Sequence, residues 1–402
     1  MGPRLRAARP DGGAEAPGGE LTSGGRARTG RRIVLVGAGH AHLFSLKRAA
    51  CFARAGHDLT VVAPGPFWYS GLATGMLGGV YPPELDQVDV AALVHRGGGR
   101  FVCDRVTGID RRAGLLHLAD GAPLPFDLLS LTLGSAPPAI PGSADTPGCF
   151  AVKPVPQLLA LRREIERRIA AAPARPLRIV LAGGGVTALE LAANAEALVR
   201  RRGGLAGVTV LAAGDRLLRQ LSPAAAARVE RVLAARGVTC RRQARVARVE
   251  PGAAVLEDGG TVPFDLFVNA TGLKPAPLLR GLDLPLDREG AMIVDRHLRS
   301  PADPRLFGAG DCIALDGHEL PKVGVHAVRQ APVLFHNLLA AAGDGVLRAY
   351  RPQQRYLWIM NLGDGTGLAA RGRLWWHGRA AWWLKDRIDR RFLATYQHAA
   401  GD

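Results

Sequence analysis

Ile33-Val34-Leu35-Val36-Gly37-Ala38-Gly39-His40-Ala41-His42 has a second copy of its pattern in Ile179-Val180-Leu181-Ala182-Gly183-Gly184-Gly185-Val186-Thr187-Ala188. Each stretch runs from β-branched and aliphatic residues into a G-x-G turn and opens a helix-compatible segment. In that context the turn marks a dinucleotide site. The first glycine allows the tight turn, and the second lets backbone N–H groups approach a pyrophosphate at the positive end of a helix dipole. Two such turns in one chain predict two bound dinucleotides. The simplest chemistry that needs two is hydride transfer between a nicotinamide and a flavin.

Outward from the first turn, the pattern predicts a strand at 32–36, a helix at about 41–54, a strand at 58–63 and a lining loop over 64–83. Short strands follow at 101–103 and 115–118, and a buried strand lies within 126–135. Around the second turn it predicts a helix at 157–172, a strand at 178–182, a helix at 186–202 and a strand at 208–212. Phe264-Asp265-Leu266 then mirrors Phe126-Asp127-Leu128. The fold class expected is therefore α/β, with two Rossmann-like dinucleotide-binding domains and a small C-terminal α+β segment. The expected organisation is a disordered tail at 1–30, a first domain at 31–152 that resumes at 277–350, an inserted domain at 153–276, and an interface segment at 351–402. A helix is expected at about 324–341, and an antiparallel pair at 354–361 and 367–374.

The chain has 402 residues, enough for two or three domains with their own cores. It has no run of about 18 uncharged apolar residues, so no transmembrane helix is expected, and no secretory signal is evident. Five scattered cysteines contain no C-x-x-C, which points away from zinc, from a disulfide framework and from any metal site, and toward a reducing cytosol. The formal charge of +17 comes from arginines spread along the chain without a nucleic-acid module, so no nucleic-acid partner is expected.

The motifs GAGHAH at 37–42, WYSGLATG at 68–75, VKP at 152–154, GGGVTALELA at 183–192, ATG at 270–272, GAGDC at 308–312, PKVGVHAVRQAP at 321–332 and WWLKDRIDRRF at 382–392 occur in order. On them the chain resembles the FAD-dependent pyridine nucleotide oxidoreductases of glutathione-reductase-like fold. Within these it is similar to the type II NADH dehydrogenase-like proteins, and most of all to the flavoprotein branch sometimes fused to selenide, water dikinase. The resemblance implies FAD and NAD(P)H as cofactors and a small-molecule acceptor such as a quinone. It implies that Gly37 and Gly39 cradle the FAD pyrophosphate, that Asp311 after Gly310 accepts from the ribityl hydroxyls, and that Gly324 and Val325 begin a helix facing the flavin. His40, His42, Tyr69, Ser70 and Gly134 join that first site. Gly183, Gly185, Ala188, Thr271 and Gly272 form the pyridine nucleotide site. Glu190 and Lys153 are the catalytic candidates, Glu190 lying between nicotinamide and flavin.

The departures are informative. The acid that usually follows the second strand of each nucleotide-binding unit is replaced by Ala63-Pro64, which weakens the FAD signature a little, and by Ala212-Ala213, which leaves NADH against NADPH open with Arg216 nearby to receive a 2′-phosphate. Disulfide reductases carry a C-x4-C pair where this chain has only Cys51. Sulfide- or selenium-linked oxidation would need Cys149 and Cys312. A flavin-bound, redox-responsive binding protein is the non-enzymatic alternative. Gly324-Val325 stands where type II enzymes place Ala-Gln.

Four of six tryptophans, Trp375, Trp376, Trp382 and Trp383, sit among Arg371, Arg373, Arg379, Lys385, Arg387, Arg390 and Arg391, with Asp386 and Asp389 diluting the charge. Such a segment either packs over the first domain or a homodimer partner, or lies at a membrane surface. The expected location is cytoplasmic, with peripheral attachment to the inner face of the cytoplasmic membrane as the alternative.

Overall fold

The computed structural model describes residues 30–282 and 284–397. The tail expected at 1–30 therefore lies almost wholly outside the described residues. Two five-stranded parallel sheets organise the chain. The first orders its strands Leu306–Gly308, Leu128–Leu131, Arg32–Val36, Asp58–Ala63, Arg100–Cys103. The second orders Cys149–Ala151, Leu266–Asn269, Leu177–Ala182, Ala206–Leu211, Thr239–Arg241. Both sheets are covered on both faces, which is why their central strands read as unbroken apolar runs; Ile33 through Val36 and Ile179 through Ala182 are all buried.

The duplication reaches individual hydrogen bonds. Asp127 accepts from the Arg32 backbone N–H at 2.7 Å, and Asp265 accepts from the Arg178 backbone N–H at 2.9 Å. In each case the arginine's own guanidinium also grips the carboxylate. Each unit further carries a three-stranded antiparallel ribbon, at 106–125 and 246–263. The units join where Ser135–Ala136 pairs antiparallel with Lys274–Pro275. Cys149–Ala151 already belongs to the second sheet, so the crossover comes before residue 153, the boundary the sequence suggests.

Two other expectations change. The helix expected at 41–54 breaks at Lys47 and Arg48 into His40–Leu46 and Ala49–Arg54. The stretch 64–83 is not a loop throughout: it holds the strand Phe67–Trp68 and the helix Ser70–Leu77. Two glycines lower the intrinsic helix propensity of that helix, and tertiary packing overrides it. Leu72, Ala73, Met76 and Leu77 are buried, and a Cβ at Gly75 would lie 2.4 Å from the Tyr81 ring.

The C-terminal segment adds a third strand to the expected pair, giving Trp358–Asn361, Gly367–Arg371 and Leu374–Gly378 in one antiparallel sheet, followed by the helix Arg379–Gln397. That helix is docked on the first unit. Asp386 and Asp389 accept from the hydroxyls of Tyr81 and Tyr69 at 2.9 and 2.8 Å, so they are anchors rather than diluents of charge. Trp383 and Ile388 of this helix are exposed, as are Leu374 and Trp376 of the strand that precedes it. No helix among the described residues is long and apolar enough to cross a membrane.

Candidate functional site

The two glycine turns have matching geometry. Gly37 N–H donates to the Val62 carbonyl and Gly183 N–H to the Leu211 carbonyl, both at 2.8 Å. Both first glycines have positive φ, 84° and 139°. A Cβ at Gly37 would fall 2.7 Å from the Thr132 carbonyl oxygen, and one at Gly183 would fall 2.3 Å from that of Ala270, so neither tolerates a side chain. Gly39 and Gly185 are the cap residues of the helices His40–Leu46 and Val186–Arg201. Ala188 is wholly buried, its methyl 3.3 Å from where a Cβ on Gly183 would stand.

One cleft of about 1830 Å³ connects the turns. Of the residues expected at the first site, Gly39, His40, Ser70, Gly134, Gly310, Asp311 and Gly324 line it. Of those expected at the second, Gly183, Gly185, Thr271 and Gly272 do so, as do both catalytic candidates, Lys153 and Glu190. Gly37, Tyr69, Ala188 and Val325 are not in its wall.

His42 departs most from its expected role. Fully buried, its Nδ1 lies 2.9 Å from Thr132 Oγ1 and its Nε2 2.9 Å from Ser130 Oγ. It supports the turn from behind, and burial pushes its pKa down to about 4, so it stays neutral. Tyr69 likewise turns from the cleft to stack on Phe392 with ring centroids 4.7 Å apart. His40 does face the cleft, between Phe67, Tyr69 and Phe392; burial, followed by the nearby Lys153 charge, holds its pKa at about 4.

Asp311 Oδ2 accepts from Ser135 Oγ at 2.6 Å and from Lys153 Nζ at 2.9 Å. Burial pushes this carboxyl up, but the Lys153 charge and the Ser135 hydroxyl outweigh it and hold the group below its usual range. Gly310 N–H donates to Gln330 Oε1 at 2.7 Å, which ties the Gly-Asp turn to the long helix Gly324–Ala342.

Glu190 sits on the helix that follows the second turn, nearly buried, its Oε1 accepting from the Asn361 backbone N–H at 2.7 Å. Burial raises its pKa against the pull of Lys385. Sequence reasoning did not anticipate Lys385 as a site residue. The Lys385 ammonium is held by the Gly71 carbonyl at 2.5 Å and by Asp389 at 2.6 Å. Burial works to discharge it, and the charges of Asp389 and Glu190 keep it protonated. Asp86 completes the cluster, neither of its carboxyl oxygens hydrogen-bonded among the described residues, its pKa raised to about 8 by burial and then by Asp389. The i, i+4 spacing of Lys385 and Asp389 was the one available signal. Neither Cys149 nor Cys312 lines the cleft, and burial pushes both thiols up to about 11, so neither is poised as a redox thiolate.

Residues 31–331 match the pyridine nucleotide-disulphide oxidoreductase family. The chain is 28% identical over 300 residues, 70% of its own length and 73% of the relative's, to an NADH dehydrogenase-like protein of Mycobacterium tuberculosis. It is 28% identical over 207 residues, 48% of this chain and 46% of the other, to the type II NADH:quinone oxidoreductase of Haemophilus influenzae. Among solved structures, the sulfide:quinone oxidoreductase of Aquifex aeolicus superposes over 92% of both chains with a TM-score of 0.76 at 17% identity, a likeness of fold alone.

Proposed function

The chain belongs to the pyridine nucleotide-disulphide oxidoreductase family, and from that premise we propose that this FAD- and NAD(P)H-dependent oxidoreductase delivers electrons from the pyridine nucleotide to a small quinone-like acceptor. The observation that carries the reading is the single cleft in which the two glycine turns, the Lys153–Asp311 pair and Glu190 meet. The names of the Mycobacterium and Haemophilus relatives, both of which specify NADH, support a pyridine nucleotide as donor and, for the second, a quinone as acceptor.

The chain's own residues fit both cofactors. Gly134 at φ 69° has open space where a Cβ would stand, so backbone is presented directly to the cleft. Asp311 commits Oδ2 to Ser135 and Lys153, which leaves Oδ1 for ribityl hydroxyls; a charged acceptor makes the stronger bond. At Gly185 a Cβ would meet only Gln220, so the backbone there also stands open to a pyrophosphate. When bound, FAD supplies the capacity to take a hydride from the nicotinamide and to pass two electrons onward.

The protein orients, excludes water and manages charge. Lys153 balances the buried Asp311 carboxylate. The N-terminus of the helix Gly324–Ala342 brings unpaired backbone N–H groups to the cleft, where they favour negative charge. Glu190, its pKa raised by burial, is suited to hold a proton that a quinone takes up on reduction. Tyr356 and Trp358, which line the cleft with Tyr356 against His326 of the long helix, offer aromatic faces to a planar acceptor. The exposed Leu374, Trp376, Trp383 and Ile388 suit contact with a lipid surface from which such an acceptor arrives.

Anaerobic titration of the purified yellow protein with pyridine nucleotide, followed by a panel of quinones and a soluble dye, tests the reading. Bleaching of the flavin and its reoxidation by quinone are the expected results. A flavin that bleaches but is reoxidised by no quinone removes the proposed acceptor.

A further inference from the structure

We propose that the pyridine nucleotide of this chain is NADPH, with Arg216 and Arg219 receiving its 2′-phosphate; the inference rests on the reading of the second glycine turn as the pyridine nucleotide site. A second cleft of about 610 Å³ continues past that turn, sharing Gly183, Gly185, Thr271 and Gly272 with the main one. It is lined by the end of the strand Ala206–Leu211 and the loop that follows, including Ala212, Ala213, Arg216 and Arg219, and by Arg245. Among the described residues, no aspartate or glutamate lines it.

An NADH site places a carboxylate at this strand end to accept from the two ribose hydroxyls. Here that place is held by Ala212, whose methyl lies 2.9 Å from where a Cβ on Gly184 would stand, over the turn itself. Its backbone is committed on both sides: its N–H donates to the Arg241 carbonyl, and its carbonyl accepts from Ala244 N–H, each at 2.9 Å. The strand end is thus held on both sides and carries no acidic side chain at Ala212 or Ala213; Asp215, in the loop beyond, is paired with Arg219.

The following loop is built rather than loose. Leu217 and Leu218 are fully buried, and Leu218 takes a left-handed φ of 50°. Its N–H donates to the Gly184 carbonyl at 2.8 Å, which pins the loop to the glycine turn. In the order Arg216-Leu217-Leu218-Arg219, the two leucines anchor inward and the arginines flank the cleft. Arg216 donates one N–H to the Leu221 carbonyl at 2.6 Å, and Arg219 donates to Asp215 at 2.5 Å. A guanidinium has five donors, so each retains a free edge for phosphate oxygens. Asp215 occupies one edge of Arg219, and a 2′-phosphate dianion supplies acceptor oxygens for the remaining edges of both guanidiniums.

The test uses the flavin-loaded full chain and nucleotides that do not reduce it: NADP⁺ against NAD⁺, and 2′,5′-ADP against 5′-ADP, by calorimetric titration. The phosphorylated member of each pair is expected to bind at least about tenfold more tightly, and Arg216→Ala with Arg219→Ala should reduce that ratio about 10- to 100-fold. Affinity for NAD⁺ should change less than about twofold in the double variant. Ala212→Glu, which leaves both arginines in place, should also reduce the ratio, so the inference does not depend on one variant folding. Equal or tighter binding of NAD⁺ by the unaltered protein overturns NADPH specificity and leaves the nucleotide site standing. Failure to bind any of the four overturns the nucleotide site, and the inference with it.

Discussion

The Lys153 ammonium meets the Asp311 carboxylate at 2.9 Å, joining the start of the inserted unit to the strand–turn that returns the chain to the first. Both groups face the cleft between the two glycine turns, so the contact between units is also the floor of the site. Removing the carboxylate leaves the partly buried lysine with the Ser135 hydroxyl, 3.1 Å away, but without its counter-charge.

Asp311→Ala should therefore lower flavin content in the purified protein more than any substitution in residues 1–30. It should also cost on the order of 1–3 kcal/mol of stability from the lost charged hydrogen bonds. The ratio of flavin to protein absorbance measures the first effect, and full flavin retention would sink the assignment of Asp311.

Gly185→Val should leave the fold and the bound flavin intact and abolish reduction by pyridine nucleotide. Gly185 has φ −89°, open to any residue, and the added Cβ meets only Gln220 Nε2, at 3.4 Å, so the side chain is accepted by the backbone and takes up space in the cleft that Gly185 lines. Stopped-flow bleaching at the unaltered rate would place the nucleotide elsewhere.

Asp86→Asn carries a pH signature. Burial raises the folded-state pKa of Asp86 to about 8, above its unfolded value of 3.8, so the folded chain keeps a proton that the unfolded chain releases. Stability from this group is full below the unfolded pKa and is lost as pH rises toward 8. The variant's advantage over the parent should therefore grow between pH 4 and pH 8 by up to about 1.4 kcal/mol per pH unit, then level off. Urea unfolding at pH 5, 7 and 9 measures it; a difference that does not change with pH means that Asp86 is ionised in the fold.

Trp376→Ser with Trp383→Ser tests the outer face of the C-terminal segment without touching its docking contacts. Deleting the whole segment would remove Lys385 and Asp389 from the buried cluster and confound the result. The double variant should sediment less with anionic vesicles at low salt and turn over long-chain quinones more slowly, while soluble dye reduction survives. Unchanged vesicle binding would decide against a lipid contact at these residues.

The glycine turns were legible in the sequence because their requirements are local: a positive φ at Gly37 and Gly183 needs glycine whatever surrounds it. The apolar runs of the two parallel sheets were legible for the same reason, since a strand buried on both faces has no polar side to show. The matched Asp127 and Asp265 betrayed the duplication because each lies next to its own strand. Tertiary structure alone decided that Ser70–Leu77 is a helix, because the rings of Tyr69 and Tyr81 fill the space its glycines leave. It alone turned His42 into a support behind the turn and brought Lys385 and Asp389 to the buried Glu190. The protonation of those groups depends on burial and on neighbours far away in the chain, and no local pattern of residues encodes either.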